Sequence, residues 1–134
     1  MLKSSIAHHD QQGFTLVEII AVLVLLGILA AVAVPKYMDL TTTAREKAAQ
    51  GQLSEVKGRL NTALNGYKLK NNGAVPDGTQ LLAYLPAGAC PTADTLEGDF
   101  NFLCAAAGNV ITITISKVQG TAITANNTAT YTTQ

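Results

Sequence analysis

Hydrophobic and polar residues divide this chain of 134 residues into two zones. Residues 19–34 read IIAVLVLLGILAAVAV and contain no polar side chain. Beyond residue 35 the apolar residues instead recur at steps of mostly three or four, which is typical of a helix with one buried face. The pattern predicts one long helix over residues 14–70, apolar on all sides in its first half and amphipathic in its second.

The amphipathic half of this helix has a predicted core-facing stripe and a predicted solvated face. The stripe consists of Ala44, Ala48, Leu53, Val56, Leu60, Leu64 and Tyr67, and the solvated face of Arg45, Glu46, Lys47, Gln52, Glu55, Lys57 and Arg59. Asn71-Asn72-Gly73 tolerates left-handed backbone, so the helix is predicted to stop near Leu69. Pro35 removes one helical hydrogen bond and predicts a kink.

The remainder of the chain predicts a small antiparallel sheet. Residues 74–98 are broken by proline and glycine and predict a loop, with a short helical turn at residues 79–84. Residues 100–106 and 110–116 predict a hairpin, and a last strand is expected from Ala122 or Ala129 to the end, with Asn126-Asn127 as a turn. Alternation places Ile111, Ile113 and Ile115 against the helix stripe. The fold class is therefore α+β, a long helix whose second half packs on a sheet.

The apolar segment has three possible interpretations. Residues 14–35 are long enough to cross a membrane as one helix. An ordinary secretory signal, cleaved after Ala33, is a second interpretation. Such signals normally have a more basic start than the single Lys3 provides, and a shorter apolar stretch. The third is a helix buried in a globular core, for which the polar remainder is too small. The pattern favours the membrane helix and leaves a secreted binding domain as an alternative.

Glu18 lies near the start of this apolar span. A carboxylate inside a membrane span costs several kcal/mol, which makes it a candidate functional group. If the chain is cut between Gly13 and Phe14, Glu18 lies one helical turn from the new α-amino group. In a staggered stack of helices it can then pair with the ammonium of a neighbouring chain. The alternative is that Glu18 only marks the membrane–water interface.

The sequence GFTLVE at residues 13–18 resembles the processing motif of type IV prepilins and type II secretion pseudopilins, G-F-T-L-[IV]-E. The resemblance covers about residues 13–67. It implies a pilin-like fold in which Gly13 is the cleavage residue for an aspartyl prepilin peptidase, Phe14 the N-methylated residue and Glu18 the assembly carboxylate. Pro35 falls where that family commonly has a helix-kinking proline.

The resemblance also implies the organisation and location of the protein. Residues 1–13 are a leader that is removed, residues 14–70 form the long helix with its membrane-spanning half at 14–35, and residues 71–134 form the head. The expected partners are further copies in a helical filament, the peptidase, the pilus assembly machinery and the inner membrane. The expected location is the inner membrane and then a cell-surface filament, or the periplasm for a pseudopilin. The basic residues Lys36, Arg45 and Lys47 do not predict this orientation, so it depends on the resemblance.

Cys90 and Cys104 are the two cysteines of the chain. In an exported domain an even pair at this spacing indicates a disulfide. Closing a loop of this length stabilises a fold by about 3 kcal/mol on the chain-entropy model. Two unpaired, buried cysteines in a cytosolic protein are the alternative. The position of the pair near the C-terminus resembles type IV pilins, whereas major pseudopilins more often have a calcium-binding loop there.

Composition argues against catalysis and against nucleic-acid binding. Both histidines, His8 and His9, lie in the leader, so the processed chain is expected to lack histidine chemistry. Phosphate-binding glycine loops and nucleophile elbows are absent from the sequence. The net charge is zero and the basic residues are scattered, unlike a nucleic-acid footprint. We expect no enzyme and no cofactor. Asp94, Glu97 and Asp99 are a candidate calcium site, with a solvated loop as the alternative.

Overall fold

The structure, a computed structural model, describes residues 13–134 and divides into two compact units, with the boundary in the sequence between Asp39 and Leu40. Its elements are α1 (Leu16–Lys70), α2 (Gly78–Tyr84), β1 (Thr95–Glu97), β2 (Phe100–Ala107), β3 (Val110–Val118), β4 (Thr121–Ala122) and β5 (Thr128–Thr132). The order is that of an α+β protein, a long apolar-to-amphipathic helix followed by a small antiparallel sheet, as the sequence predicts.

The long helix α1 has nearly the predicted bounds, with 55 residues from Leu16 to Lys70. It ends in the predicted way, because Asn72 and Gly73 both have positive φ, at 51° and 85°. The Gly73 N–H donates to the Lys68 carbonyl over 2.7 Å, which satisfies one of the carbonyl groups left open at the helix end. Pro35 lies inside the helix, and the kink at this residue stays a prediction.

The first unit consists, in its described part, of residues 13–39, and every one of them is exposed. Here α1 contains a stretch that is long and apolar enough to cross a membrane by length and composition. Large aliphatic side chains project on all sides of the helix; Leu23, for example, is 62% exposed. Among residues 13–39 no other element covers these side chains, so their apolar surface favours contact with lipid or another chain.

The second unit contains the sheet, in the order β1-β2-β3-β4 with β5 also paired to β3. All pairs are antiparallel, and β2 and β3 form the predicted hairpin with Ala107 opposite Val110. Gly108 at its tip has a φ of 59°, a left-handed conformation that suits glycine. The last strand begins at Thr128, after Asn126, whose φ is 53°.

The prediction of a loop through residue 98 was wrong in one place. Residues 95–97 form the edge strand β1, in which Thr95 lies opposite Phe102 of β2. Three residues are too few to show the two-residue alternation by which strands are recognised in a sequence. The short strand β4 was missed for the same reason, since it has only two residues.

The core of the second unit is the predicted helix–sheet contact. Ile111, Ile113 and Ile115 are fully buried, and they belong to one cluster with Val56 and Leu60 of α1. The start of the stripe was predicted wrongly, because Ala44 and Ala48 are exposed whereas Ala49 and Gln52 are buried. Alanine is too small and too weakly apolar to indicate the buried face of a helix, so the bulkier Leu53, Val56, Leu60 and Leu64 determine it.

Candidate processing and assembly site

The segment from Gly13 to Thr15 leads into α1 without being helical, and all three residues are exposed. The first helical residue is Leu16. Thr15 occupies the N-cap position: the Glu18 N–H donates to Thr15 Oγ1 over 3.3 Å and to the Thr15 carbonyl over 3.1 Å. The Ile19 N–H donates to the same carbonyl over 3.3 Å, which is the first full turn of the helix. A threonine hydroxyl in this position satisfies a backbone donor that the helix leaves open.

Glu18 lies in the first turn of α1, three residues after this cap. The spacing is that of a capping box, in which threonine is the N-cap and glutamate the third helical residue. A carboxylate is also favoured here because the N-terminal end of a helix carries a partial positive charge. Its neighbours Val17 and Ile19 are exposed and apolar, so covering this region would leave the carboxylate in need of a cation.

The predicted processing residues, Gly13 and Phe14, are neighbours in the sequence and lie side by side just before α1. Gly13 and Phe14 are exposed, and Phe14, at 79% exposure, is among the most exposed of the large apolar residues. An added Cβ at Gly13 would meet no atom within 4 Å, so nothing in the described part of the chain crowds this peptide bond. Cleavage at Gly13, methylation of Phe14 and assembly through Glu18 stay predictions.

A disulfide joins Cys90 to Cys104, as the cysteine pair indicates. The two residues are 14 apart in the sequence and their Cα atoms are separated by 5.6 Å. Cys104 is buried on β2, and its N–H donates to the Pro91 carbonyl over 2.7 Å. The bond therefore fixes both ends of the segment that contains β1.

The three acidic residues near β1 each accept a hydrogen bond from a different residue. Glu97 accepts two hydrogen bonds from Arg59 of α1, at 2.9 Å and 3.1 Å. Asp94 accepts from the Ser116 hydroxyl over 2.7 Å. Asp99 accepts a longer hydrogen bond of 3.4 Å from Gln119. Among the described residues, no group of three or more histidine, cysteine or acidic residues is placed to hold a metal ion.

The sequence analysis missed the contact between Arg59 and Glu97, which are 38 residues apart. Arg59 was assigned to a solvated face, yet its guanidinium also contacts Glu55 one turn earlier, at 2.6 Å. The hydrogen bonds that Arg59 donates to Glu97 and then to Glu55 raise the pKa of Arg59 further above its ordinary value. In the same unit, burial raises the pKa of the Tyr131 hydroxyl. No signal in the sequence connects Arg59 to Glu97.

An open groove of about 980 Å³ lies beside the Arg59–Glu97 pair. Small and apolar residues dominate its lining, among them Ala63, Gly66, Leu85 and Leu96. Its charged groups are paired with each other, and residues 13–134 contain no histidine.

Comparison with known proteins identifies the N-terminal region. Residues 8–34 match the family model of the prokaryotic N-terminal methylation motif. The match includes the extended segment at Gly13 and Phe14, the cap at Thr15, the carboxylate at Glu18 and almost all of the apolar stretch. No solved structure matches the chain.

The curated relatives fall into two groups. The chain is 37% identical over 70 residues to a fimbrial protein of Pseudomonas aeruginosa, covering 52% of this chain and 46% of the relative. It is 39% identical over 81 residues to the type II secretion system core protein G of the same species, covering 59% and 54%. It is 35% identical over 106 residues to a type IV major pilin protein of Neisseria gonorrhoeae, covering 76% and 42%. The chain thus spans about half the length of the curated relatives it matches.

Proposed function

We propose that this relative of type IV pilins and type II secretion pseudopilins is a structural subunit of a type IV pilus-like filament. In this proposal the precursor is held in the inner membrane by residues 14–35, cut after Gly13 by a prepilin peptidase and N-methylated on Phe14. The observation that supports it most directly is the methylation motif, which covers the start of α1 and the part of that helix, residues 16–34, in which every apolar side chain is exposed.

The exposed apolar helix supports assembly into a filament for a physical reason. Burial of apolar surface releases about 25 cal/mol per Å², so residues 16–34 are stable in lipid or against other apolar helices, but not in water. A helix that leaves the membrane therefore needs cover, and copies of the same helix supply it in a bundle. The second units would then form the outer wall, and the pilus assembly machinery would add copies one at a time.

Pairing through Glu18 fixes how far neighbouring helices of this bundle are shifted along one another. Cleavage after Gly13 creates an α-amino group on Phe14, about one helical turn from the Glu18 carboxylate of the same chain. In a staggered bundle the carboxylate of one copy pairs with the amino group of the next, and the attraction is strong because the surroundings are apolar. Each charge also offsets the cost of desolvating the other.

The substitution Glu18→Gln tests this function, with Glu46→Gln as the matched control on the same helix outside the apolar stretch. Loss of one partner of a buried pair costs about 3–5 kcal/mol, so filament yield in sheared material should fall by at least about tenfold. The amount of chain in the inner membrane and the yield of the Glu46→Gln variant should stay near normal. Full filament yield from Glu18→Gln would contradict the assigned role.

A pseudopilin of a type II secretion system is the second candidate function, supported by the similarity to core protein G over 81 residues. The disulfide near the C-terminus favours the pilin assignment, because it occupies the region where major pseudopilins more often have a calcium-binding loop. Immunogold labelling of intact cells, together with labelling of thin sections, distinguishes the two functions. Labelled surface filaments support a pilin, whereas label confined to the periplasm supports a pseudopilin.

A further inference from the structure

The peptide bond between Gly13 and Phe14 lies just outside α1, and the reason is visible in the hydrogen bonds of the next residue. Thr15 accepts the Glu18 N–H at both its hydroxyl and its carbonyl oxygen, and these contacts begin the helix at Leu16. Gly13 and Phe14 are therefore exposed and non-helical. A start only one turn earlier would include both residues in the helix.

We propose that Thr15 is a positioning residue for cleavage: its cap fixes the start of α1 and keeps the Gly13–Phe14 bond accessible to the peptidase. This inference rests on the proposed function, because it assumes that cleavage occurs after Gly13. Hydrolysis adds water across that bond, so that the carbonyl carbon of Gly13 becomes a carboxylate and the nitrogen of Phe14 becomes the new α-amine. The peptidase must therefore approach the carbonyl carbon of Gly13.

Inclusion of this bond in the helix would block that approach. The Gly13 carbonyl would accept a hydrogen bond from the N–H of residue 17, and the side chains of the first turn would surround it. Each cleavage would then require local unwinding, and the rate would fall with the fraction of unwound chains. A cap placed two residues after the bond removes this requirement.

The sequence contains an alternative start that the cap must outcompete. Asp10 belongs to the residue types that best cap helices, and a helix starting after it would contain Gly13 and Phe14. A retreat of the helix in the other direction is unfavourable, because Leu16 and Val17 are poor caps and open backbone groups at the membrane edge are costly. Loss of the Thr15 hydroxyl should therefore lengthen the helix toward Asp10.

The experiment compares Thr15→Val with Thr15→Ser in the full-length precursor in detergent micelles. Valine keeps the shape of threonine without its hydroxyl, whereas serine keeps the hydroxyl. Purified prepilin peptidase is added, and mass spectrometry follows the mature chain over time. We expect Thr15→Val to be cut about fivefold more slowly, the factor that corresponds to loss of a typical cap, and Thr15→Ser to be cut at nearly the normal rate.

The double variant Asp10→Ala, Thr15→Val tests whether Thr15 acts through the helix start. Removal of the alternative cap should restore most of the cleavage rate, and Asp10→Ala alone should be cut normally. If Thr15→Val is as fast as wild type, or if the double variant stays slow, the inference is overturned. A wild-type precursor that is not cut after Gly13 would instead contradict the proposed function itself.

Discussion

Arg59 joins the long helix to the sheet at one edge. Its guanidinium makes a bidentate contact with Glu97 of β1 and a further contact with Glu55 on its own helix. The side chains of Arg59 and Glu97 are 29% and 42% exposed, so water screens the attraction and the contact stabilises the fold only modestly. It connects α1 directly to the three-residue edge strand β1, which otherwise pairs with β2.

Replacement of Glu97 by glutamine should lower the free energy of unfolding by about 0.5–1 kcal/mol, because the bidentate pair is lost. Glu55→Gln is the matched control, since it removes a more exposed contact within one helix and should cost about 0.3–0.5 kcal/mol. Thermal unfolding of the full chain in detergent, at low and high salt, measures both. Equal losses of unfolding free energy in the two variants would show that the contact of Arg59 with Glu97 stabilises the fold no more than the contact of Arg59 with Glu55 does.

Features formed by residues close together in the sequence could be predicted, and contacts between residues far apart in the sequence could not. The six residues from Gly13 to Glu18 are consecutive, so the processing motif is read directly. The capping relation of Thr15 and Glu18 follows from their spacing of three, although the sequence analysis did not use it. The contact between Arg59 and Glu97 joins residues 38 apart and depends on the register of β1, which no local pattern specifies.

At the scale of elements, long periodic segments determined what could be predicted. The helix α1 and the hairpin of β2 and β3 each contain enough residues to show their period, and their bounds agree closely with expectation. The strands β1 and β4 are too short to show one. The buried face of α1 was predicted well where leucine and valine define it and wrongly at Ala44 and Ala48, where the side chains are small.

The start of α2 packs tightly against the hairpin and can be tested with one glycine. The Gly78 N–H donates to the Gly108 carbonyl over 2.8 Å, and an added Cβ would lie 2.9 Å from that same oxygen. Gly78→Ala should therefore destabilise the chain by about 1–3 kcal/mol, as overpacking does.

Gly58→Ala is the control for this prediction, because Gly58 lies inside α1 and an added Cβ would meet nothing within 4 Å. It should stabilise the helix by about 0.5–1 kcal/mol. Urea unfolding of both variants measures the difference. A Gly78→Ala variant as stable as wild type would mean that the start of α2 can move away from the hairpin turn at Gly108 without a loss of stability. The two would then not form a fixed contact.

At the scale of the whole molecule, the two units differ in how much apolar surface they expose. The second unit buries many of its apolar residues in one core, whereas the described part of the first exposes every residue of its apolar stretch of helix. The apolar helix of such a chain is stable only in lipid or in contact with other copies. The sequence predicts this feature well, because an uninterrupted apolar run is the strongest local signal that a chain can carry.

The measurement that tests the account most directly is mass spectrometry of the mature N-terminus in material sheared from cells. The account predicts a chain that begins at N-methylated Phe14. A chain beginning at Val34 would instead mean ordinary signal cleavage after Ala33. The apolar helix would then be discarded during export, and the filament proposal would be contradicted.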